Sequence, residues 1–264
     1  MRRYAWRGDF VECDVPDGPL DVADSWRHSS GRTNGLALHF ERFARSAGPL
    51  PEGFVDKLMP LLRDDELFPR IALSQGRLLL DVRPAPPPRP TTSLTYAPAS
   101  DPRTQPEVKG PDFDAFRAYR SRHQVAGTDD AVIVDTHGAM VETTTGALVM
   151  WDDDILCVPE GVWLPSITLH QVVARAERLG IRVERRRLTP ELAAAHPLWF
   201  LNSLHGISPV SELHVGDEVI TPPAHPAASE WSDWWWGGFT RERCGRIGIW
   251  GDPAHTWPGV ERKR

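Results

Sequence analysis

The sequence predicts a two-domain protein of the α+β class. Segments whose apolar residues recur at helical spacing are interspersed with segments in which apolar and polar residues alternate, as they do in strands. Residues 84–106 are rich in proline and small polar residues, which is typical of an extended connection. The chain of 264 residues is long enough to form a core on each side of it. We therefore expect a small domain at 1–97, a linker at 98–108 and a larger domain at 109–264.

The small domain is predicted to begin with short strands and to continue with helices. Extended segments are expected at 10–15 and 20–26, followed by a turn-rich hairpin loop at 28–35. The apolar pattern of 35–48 predicts a helix that ends at Gly48. A second helical segment at 52–68 contains Pro60, and 70–85 reads as a hairpin around a Gln-Gly turn.

The larger domain is predicted to alternate between helices and strands. A helix is expected at 112–127, and strands over 129–160 are joined by turns at 136–138 and 152–154. An amphipathic helix at 167–180, ended by a glycine, precedes a strand, and a short helix and a strand follow over 188–203. From about residue 217 we expect a tail with little regular structure, in which WSDWWWGGF and IGIW carry five tryptophans.

Composition excludes several classes of protein. The net charge of −6 argues against a nucleic-acid binder, which needs a basic face to displace counterions from phosphates. No run of 18 apolar residues predicts a membrane helix, and acidic residues interrupt the N-terminal segment before a signal peptide could form. Three widely spaced cysteines and ten histidines without a ligand motif predict neither a disulfide framework nor a metal site. We expect a cytoplasmic protein with reduced thiols.

Three features of the second domain suggest chemistry. Lys109, one of only three lysines, lies where the linker enters the domain, and a lysine amine attacks carbonyls once its pKa is lowered. Glu142 lies within an apparent strand pair, where a buried carboxylate needs a partner. Ser166 and Thr168 start a helix, and free N–H groups at a helix N-terminus bind phosphate. Each residue taken alone is more often a solvated surface group or a plain helix cap.

The order and spacing of these residues resemble a known family. HFERF resembles an H-x-x-R-L helix, PEVK a P-x-x-K motif, and DDAVIVDTHGAMVET a D-E-A-L-x-L-D-x-x-G-x-V-x-E segment. LPSIT resembles L-P-G-I-T, and FLNSLHGISPV resembles a strand and loop that end in T-P-V. As a set, over roughly residues 30–215, these motifs resemble the class IV aminotransferase and aminodeoxychorismate lyase family of fold-type IV pyridoxal-phosphate (PLP) enzymes.

The resemblance implies a fold, a cofactor and a set of site residues. It implies a D-amino acid aminotransferase-like fold, with a small α/β domain and a larger β-barrel-like domain, and a homodimer that acts on a small amino substrate. Lys109 would carry PLP and serve as the catalytic lysine, and Glu142 would face the pyridine nitrogen. The residues implied to hold the cofactor phosphate are Arg42, Ile167, Thr168, Ser203 and Leu204.

The sequence also departs from the family pattern on the substrate side. An asparagine expected three residues after the lysine is Asp112, and the positions five and seven residues after Glu142 are Ala147 and Val149. The basic residue expected after G-I-T is Leu169, and ADSW at 23–26 is the nearest counterpart of a glycine-aromatic motif. Three interpretations therefore stay open: an aminotransferase, a 4-amino-4-deoxychorismate lyase, or a degenerate family member that acts as a binding protein. His205, beside the expected phosphate loop, is interpreted either as a site residue or as a loop-packing residue.

Overall fold

A computed structural model describes residues 1–16, 18–62 and 65–241. The first part of the chain forms an antiparallel five-stranded sheet in the order β2-β1-β7-β6-β3, a short hairpin β4-β5 and two helices. Its elements are β1 (Arg2–Trp6), β2 (Phe10–Glu12), β3 (Val22–Ser25), β4 (His28–Ser29), β5 (Arg32–Thr33), α1 (Leu36–Ala47), α2 (Phe54–Leu62), β6 (Arg70–Ser74) and β7 (Arg77–Val82). Every element predicted here is present, and Gln75 and Gly76 form the hairpin turn with positive φ angles of 50° and 74°.

The second part of the chain forms a nine-stranded sheet. Its strand order is β10-β9-β8-β15-β14-β11-β12-β13, with β16 paired to β15. The elements are β8 (Thr92–Tyr96), α3 (Phe113–His123), β9 (Asp130–Val134), β10 (Met140–Thr143), β11 (Ala147–Asp152), β12 (Ile155–Pro159), α4 (Ile167–Arg178), β13 (Arg182–Arg186), α5 (Pro190–Ala193), β14 (Leu198–Asn202), β15 (Gly206–Val215), β16 (Glu218–Ile220) and α6 (Ala228–Gly237).

This larger sheet is curled. Strands β10 and β11 are consecutive in the chain and are joined by three residues, yet four strands separate them in the hydrogen-bonded order. A flat sheet could not satisfy both conditions, since neighbouring strands are about 4.8 Å apart. The sheet therefore curls to bring its edge strand β10 back towards β11, which confirms the predicted barrel-like character.

Successive side chains of β11 point to opposite faces of the curled sheet and belong to two different cores. Leu148 and Met150 pack into one cluster with Val132 and Phe200, whereas Val149 and Trp151 pack into a second cluster beneath α4 and α6. A third core lies between the five-stranded sheet and helices α1 and α2. The two parts of the chain thus have separate cores.

The switch between the two sheets comes earlier than the predicted linker. Strand β8 lies within 84–106 and ends before residue 98, yet it pairs with β15 and β9 of the larger sheet. A proline-rich segment can still form a strand over a run of residues that contains no proline, such as 91–96. The division at 98–108 stays a prediction, and sheet membership changes between Val82 and Thr92.

The expectation of an irregular tail was wrong for its first half. Residues 228–237 form α6, and the side chains of its own Trp231 and Trp235 are buried in the core beneath the helix. Tryptophan supplies a large apolar area, so a helix with several tryptophans can dock by burial although its polar pattern is weak. The IGIW segment lies outside the described residues. Within the described residues, no helix has the length and apolar character needed to cross a membrane.

Candidate active site

A cavity of about 360 Å³ lies where the two sheets meet. The five-stranded part contributes Ser25, Phe68 and Arg83 to its wall, and the larger part contributes Lys109 and Glu142. The same wall includes Arg42, Ser166, Ser203 and Leu204. The cavity thus brings together predicted residues that are up to 162 positions apart in the chain (204 − 42 = 162).

Lys109 is held in the cavity wall by its backbone. Its carbonyl accepts a hydrogen bond of 2.6 Å from the N–H of Ala23 on β3, so the linker is tied to the small sheet at the lysine itself. Gly110 permits this contact because its φ is +129° and a Cβ there would lie 2.8 Å from the Ala23 nitrogen. The Lys109 amine lies 5.4 Å from the centre of the Phe113 ring.

The surroundings of Lys109 make its amine easier to deprotonate. Burial, and then the neighbouring Arg42 guanidinium, lower the pKa of Lys109 from 10.5 to about 8. With a pKa of about 8, on the order of a tenth of the Lys109 amine is neutral at pH 7, and only the neutral amine is a nucleophile. The arrangement can therefore form a Schiff base.

Arg42 is fixed by a buried carboxylate that sequence analysis did not single out. Asp24 on β3 accepts two hydrogen bonds from Arg42, each of 2.8 Å, and one of 2.7 Å from His39 Nδ1. Asp24 and His39 are both fully buried. The Arg42 and His39 partners hold the pKa of the Asp24 carboxyl far below its usual range, against the effect of burial. Because α1 carries both partners, this cluster locks α1 onto β3.

Beside Arg42 lies a group of N–H and hydroxyl donors that suits a phosphate. Arg42 Nη1 donates to the Pro165 carbonyl at 3.0 Å, which places the guanidinium at the start of α4. Ser166 caps that helix by accepting from the N–H of Leu169, so its plain capping role is confirmed. The buried Thr168 hydroxyl lies 3.3 Å from the Ser203 hydroxyl, which joins α4 to the 202–205 loop. Ile167, the first residue of α4, is buried in the same turn.

The loop that carries Ser203 and Leu204 is shaped by Asn202. Its side-chain oxygen accepts the N–H groups of Leu204 at 3.1 Å and His205 at 2.8 Å, which forms a tight Asx turn. The N–H of Leu204, implied by the resemblance to contact phosphate, is thus engaged within the loop. Ser203 and His205 both border the cavity.

Glu142 lies on another part of the cavity wall. It is buried on β10, its Oε1 is paired with the Arg103 guanidinium, and its Oε2 accepts the N–H of Leu164 at 3.3 Å. Arg103 is held in turn by Asp101 at 2.7 Å. Burial raises the pKa of Glu142 to about 7, and Arg103 opposes that shift by favouring the ionised form. The interpretation of Glu142 as a solvated strand residue is therefore wrong.

Similarity to one protein family identifies the group to which this chain belongs. The model of the amino-transferase class IV family matches residues 21–213, which is most of the chain.

The chain belongs to the class IV aminotransferase family.

Solved structures show that this member of the class IV aminotransferase family has the fold of fold-type IV enzymes. A branched-chain aminotransferase from Thermoproteus uzoniensis, solved with norvaline, superposes with a TM-score of 0.74 at 16% identity, covering 89% of this chain and 93% of that one. A hypothetical aminotransferase from Mycobacterium tuberculosis, in a form with α-ketoglutarate and PMP bound, gives a TM-score of 0.73 at 17% identity over 92% and 100% of the two chains. A 4-amino-4-deoxychorismate lyase from Pseudomonas aeruginosa gives 0.65 at 20% identity over 81% and 88%. The search of curated proteins gave no match.

Two residues of the candidate site were missed by sequence analysis. Asp24 lies within ADSW, the nearest counterpart of a family motif. No local pattern indicates that this aspartate accepts hydrogen bonds from Arg42, which is 18 residues further along the chain. Arg103 lies in the stretch that was interpreted as linker, where a charged residue looks solvated. The signal that could have found both is charge pairing, because a buried arginine or glutamate requires an opposite charge.

Proposed function

We propose that this protein is a pyridoxal 5'-phosphate enzyme that acts on an amino acid or an amino-acid-like substrate, with Lys109 as its cofactor-binding lysine. The observation that carries this proposal is the cavity in which an amine with a lowered pKa shares a wall with a guanidinium and a buried carboxylate. The amine could react with the aldehyde of PLP, the guanidinium could bind its phosphate, and the carboxylate could pair with its ring nitrogen.

The residues present fit the phosphate end of the cofactor. Arg42 has five N–H donors, and three of them are used by Asp24 and the Pro165 carbonyl, which leaves two for a ligand. The Thr168 and Ser203 hydroxyls add neutral donors, and the N-terminus of α4 adds a favourable dipole. Ile167 would complete this anchor from its position beside Thr168. The Leu204 N–H is already engaged by Asn202, so Leu204 would only line the cavity beside Ser203.

The remaining residues would act at the reacting centre. PLP, when bound, supplies an electron sink for the bonds broken at the substrate Cα. Lys109 would hold the cofactor, and its amine, freed when the substrate amine takes its place, would remove the Cα proton. The Glu142 carboxylate would keep a proton on the ring nitrogen through a charge-assisted hydrogen bond. Arg103 would favour the ionised form of that carboxylate, against the effect of burial.

The same residues would serve transamination and 4-amino-4-deoxychorismate cleavage, so only the measured turnover of different substrates can distinguish the two reactions. The experiment reconstitutes the purified protein with PLP, records the visible spectrum, and then measures turnover with both enantiomers of a panel of amino acids and with 4-amino-4-deoxychorismate. We expect a chromophore that borohydride bleaches and turnover with at least one of these substrates.

A Glu142→Gln variant tests the role of the carboxylate within the same experiment. It should keep the chromophore, because Lys109 and the phosphate anchors remain, and lose turnover about 10²-fold, or about 2.7 kcal/mol of barrier. A rate within about twofold of the unchanged protein would refute the role of Glu142. A colourless protein without turnover would instead indicate a degenerate family member that acts as a binding protein.

A further inference from the structure

A closed network of three hydrogen bonds joins distant parts of the chain. The Asn34 amide donates to the Trp235 carbonyl at 2.7 Å, and the Trp235 indole N–H donates to Gln171 Oε1 at 3.0 Å. Gln171 Nε2 completes the network by donating to Asn34 Oδ1 at 2.8 Å. Asn34 lies between β5 and α1, Gln171 lies on α4 and Trp235 lies on α6. This 34–171–235 network therefore connects the first part of the chain with two helices of the second part.

Two glycines leave room for the side-chain amides of the 34–171–235 network. A Cβ at Gly35 would lie 2.8 Å from Gln171 Nε2. A Cβ at Gly238 would lie 2.8 Å from Asn34 Nδ2. Both distances are well inside van der Waals contact, so a side chain at either position would displace the neighbouring amide and break the network. The two glycines therefore belong to the same arrangement as the three residues that form it.

Helix α6 and the residues that follow it contact both parts of the chain. In the larger sheet, Trp231 packs against Trp151 and Trp199 with ring-centre distances of 5.5 and 6.0 Å. In the first part of the chain, the Thr33 backbone exchanges two hydrogen bonds with the Thr240 backbone, of 3.0 and 3.1 Å. The segment before α1 is therefore held against the larger sheet through α6, and the 34–171–235 network adds to this contact.

The helices α1 and α4, which the network joins, both carry residues of the phosphate anchor. α1, which carries Arg42, begins two residues after Asn34. On α4, Thr168 lies three residues before Gln171, about one turn nearer to the helix N-terminus. Arg42 and Thr168 belong to different parts of the chain, so the distance between them depends on how the two helices are held together.

The loop that carries Ser203 is also in contact with the network. Gly206 directly follows this loop with a φ of +73°, and a Cβ at Gly206 would overlap the Trp235 ring. The Ser203 hydroxyl in turn lies 3.3 Å from the Thr168 hydroxyl. A change in the position of Trp235 would therefore move the loop as well as α4, and with them the neutral donors of the anchor.

From these contacts we infer that Asn34, Gln171 and Trp235 are positioning residues for phosphate binding. Their network holds α1, α4 and the Ser203 loop at the spacing that one phosphate group needs. Donors that are already held in place bind an anion without the free-energy cost of bringing two parts of the chain together. That the anion is the phosphate of PLP rests on the proposed function, whereas the positioning itself does not.

The test compares phosphate affinity in variants that break the network. Trp235→Phe removes the indole N–H but keeps a large aromatic side chain in the core, and Asn34→Ala removes the amide. PLP affinity is measured from the visible absorbance, and the affinity for inorganic phosphate by calorimetry. We expect each variant to bind both ligands about tenfold more weakly than the unchanged protein. The double variant should lose less affinity than the product of the two single losses, because both substitutions disrupt one network.

Trp231→Phe is the matched control, since Trp231 and Trp235 are both buried tryptophans of α6. It should lower the temperature of thermal unfolding about as much as Trp235→Phe does, yet leave both affinities within about twofold, because it thins the core without touching the network. Equal losses of affinity in Trp231→Phe and Trp235→Phe, or unchanged affinities in Asn34→Ala, would overturn the inference.

The two ligands separate this inference from the proposed function. A protein that forms no PLP chromophore, but whose binding of inorganic phosphate is weakened in the network variants, would refute the proposed function and support the positioning role. A PLP chromophore that forms with the same affinity in every variant would support the proposed function and refute the positioning role. An unchanged protein that binds neither ligand would refute both.

Discussion

At the scale of single residues, the ionisation of Glu142 depends on Arg103. Two opposing effects act on this carboxyl: burial raises its pKa to about 7, and the Arg103 guanidinium lowers it. Arg103 is buried too and is itself held by Asp101. The balance between the two effects decides whether the site contains a carboxylate at neutral pH.

Replacing Arg103 by glutamine should move the pH dependence of the reaction. Removal of the positive charge raises the pKa of Glu142 further, so that a smaller fraction is ionised at pH 7 and the acid limb of the rate profile shifts to higher pH. The measurement is the rate of the half-reaction with an active amino substrate from pH 5 to 9. Arg122→Gln, which changes an exposed arginine on α3, should keep the original profile. An unshifted limb in Arg103→Gln would contradict the proposed role.

Some residues of the site could be predicted from sequence and others could not. Arg42, Lys109, Glu142 and Ser203 were found because each lies within a motif of fixed spacing, and all four border the cavity. Asp24 and Arg103 were missed because their partners are 18 and 39 residues away, and no local pattern records such a pairing.

At the scale of elements, the junction between β3 and the 109–110 segment positions the lysine. The Ala23 N–H donates to the Lys109 carbonyl, and Gly110 passes so close to β3 that no side chain fits. Most of the helices and strands were predicted from hydrophobic periodicity, whereas β8 and α6 were not. This junction did not, because a close backbone approach leaves no periodic signal.

Gly110→Ala should damage the site more than an ordinary glycine substitution does. A Cβ would lie 2.8 Å from the Ala23 nitrogen, and a φ of +129° is strained for alanine, so we expect a loss of about 3 kcal/mol in the free energy of unfolding and weakened PLP binding. Gly180→Ala is the control, since Gly180 also has a positive φ of +73° but has open space around it. Denaturant unfolding and PLP titration compare the two variants. Equal losses of stability would show that the contact with β3 is unimportant.

At the scale of the whole molecule, the cavity lies where two separately packed parts of the chain meet. The proline-rich stretch predicted a division of the chain at 98–108, whereas β8 within that stretch joins the larger sheet. Tail residues 228–237 were expected to be irregular and instead pack as α6. Both differences have one physical cause: long-range pairing and burial of large side chains override weak local preferences.

We also predict that the protein is a homodimer, because the family resemblance implies that active-site loops meet at a subunit interface. Light scattering at micromolar concentration should give twice the chain mass of 29.6 kDa. A mass equal to that of one chain would contradict this prediction without affecting the assignment of Lys109.

The central claim, that Lys109 carries the cofactor, can be tested by borohydride trapping. The protein is incubated with PLP, reduced with borohydride, digested and mapped by mass spectrometry. Only Lys57, Lys109 and Lys263 can form the adduct through a side-chain amine, which makes the other two lysines internal controls. We predict a stable phosphopyridoxyl group on Lys109 at close to one per chain, and its loss together with the visible absorbance in Lys109→Ala. Labelling of Lys57 or Lys263 in place of Lys109, or an unchanged reducible chromophore in Lys109→Ala, would contradict the assignment.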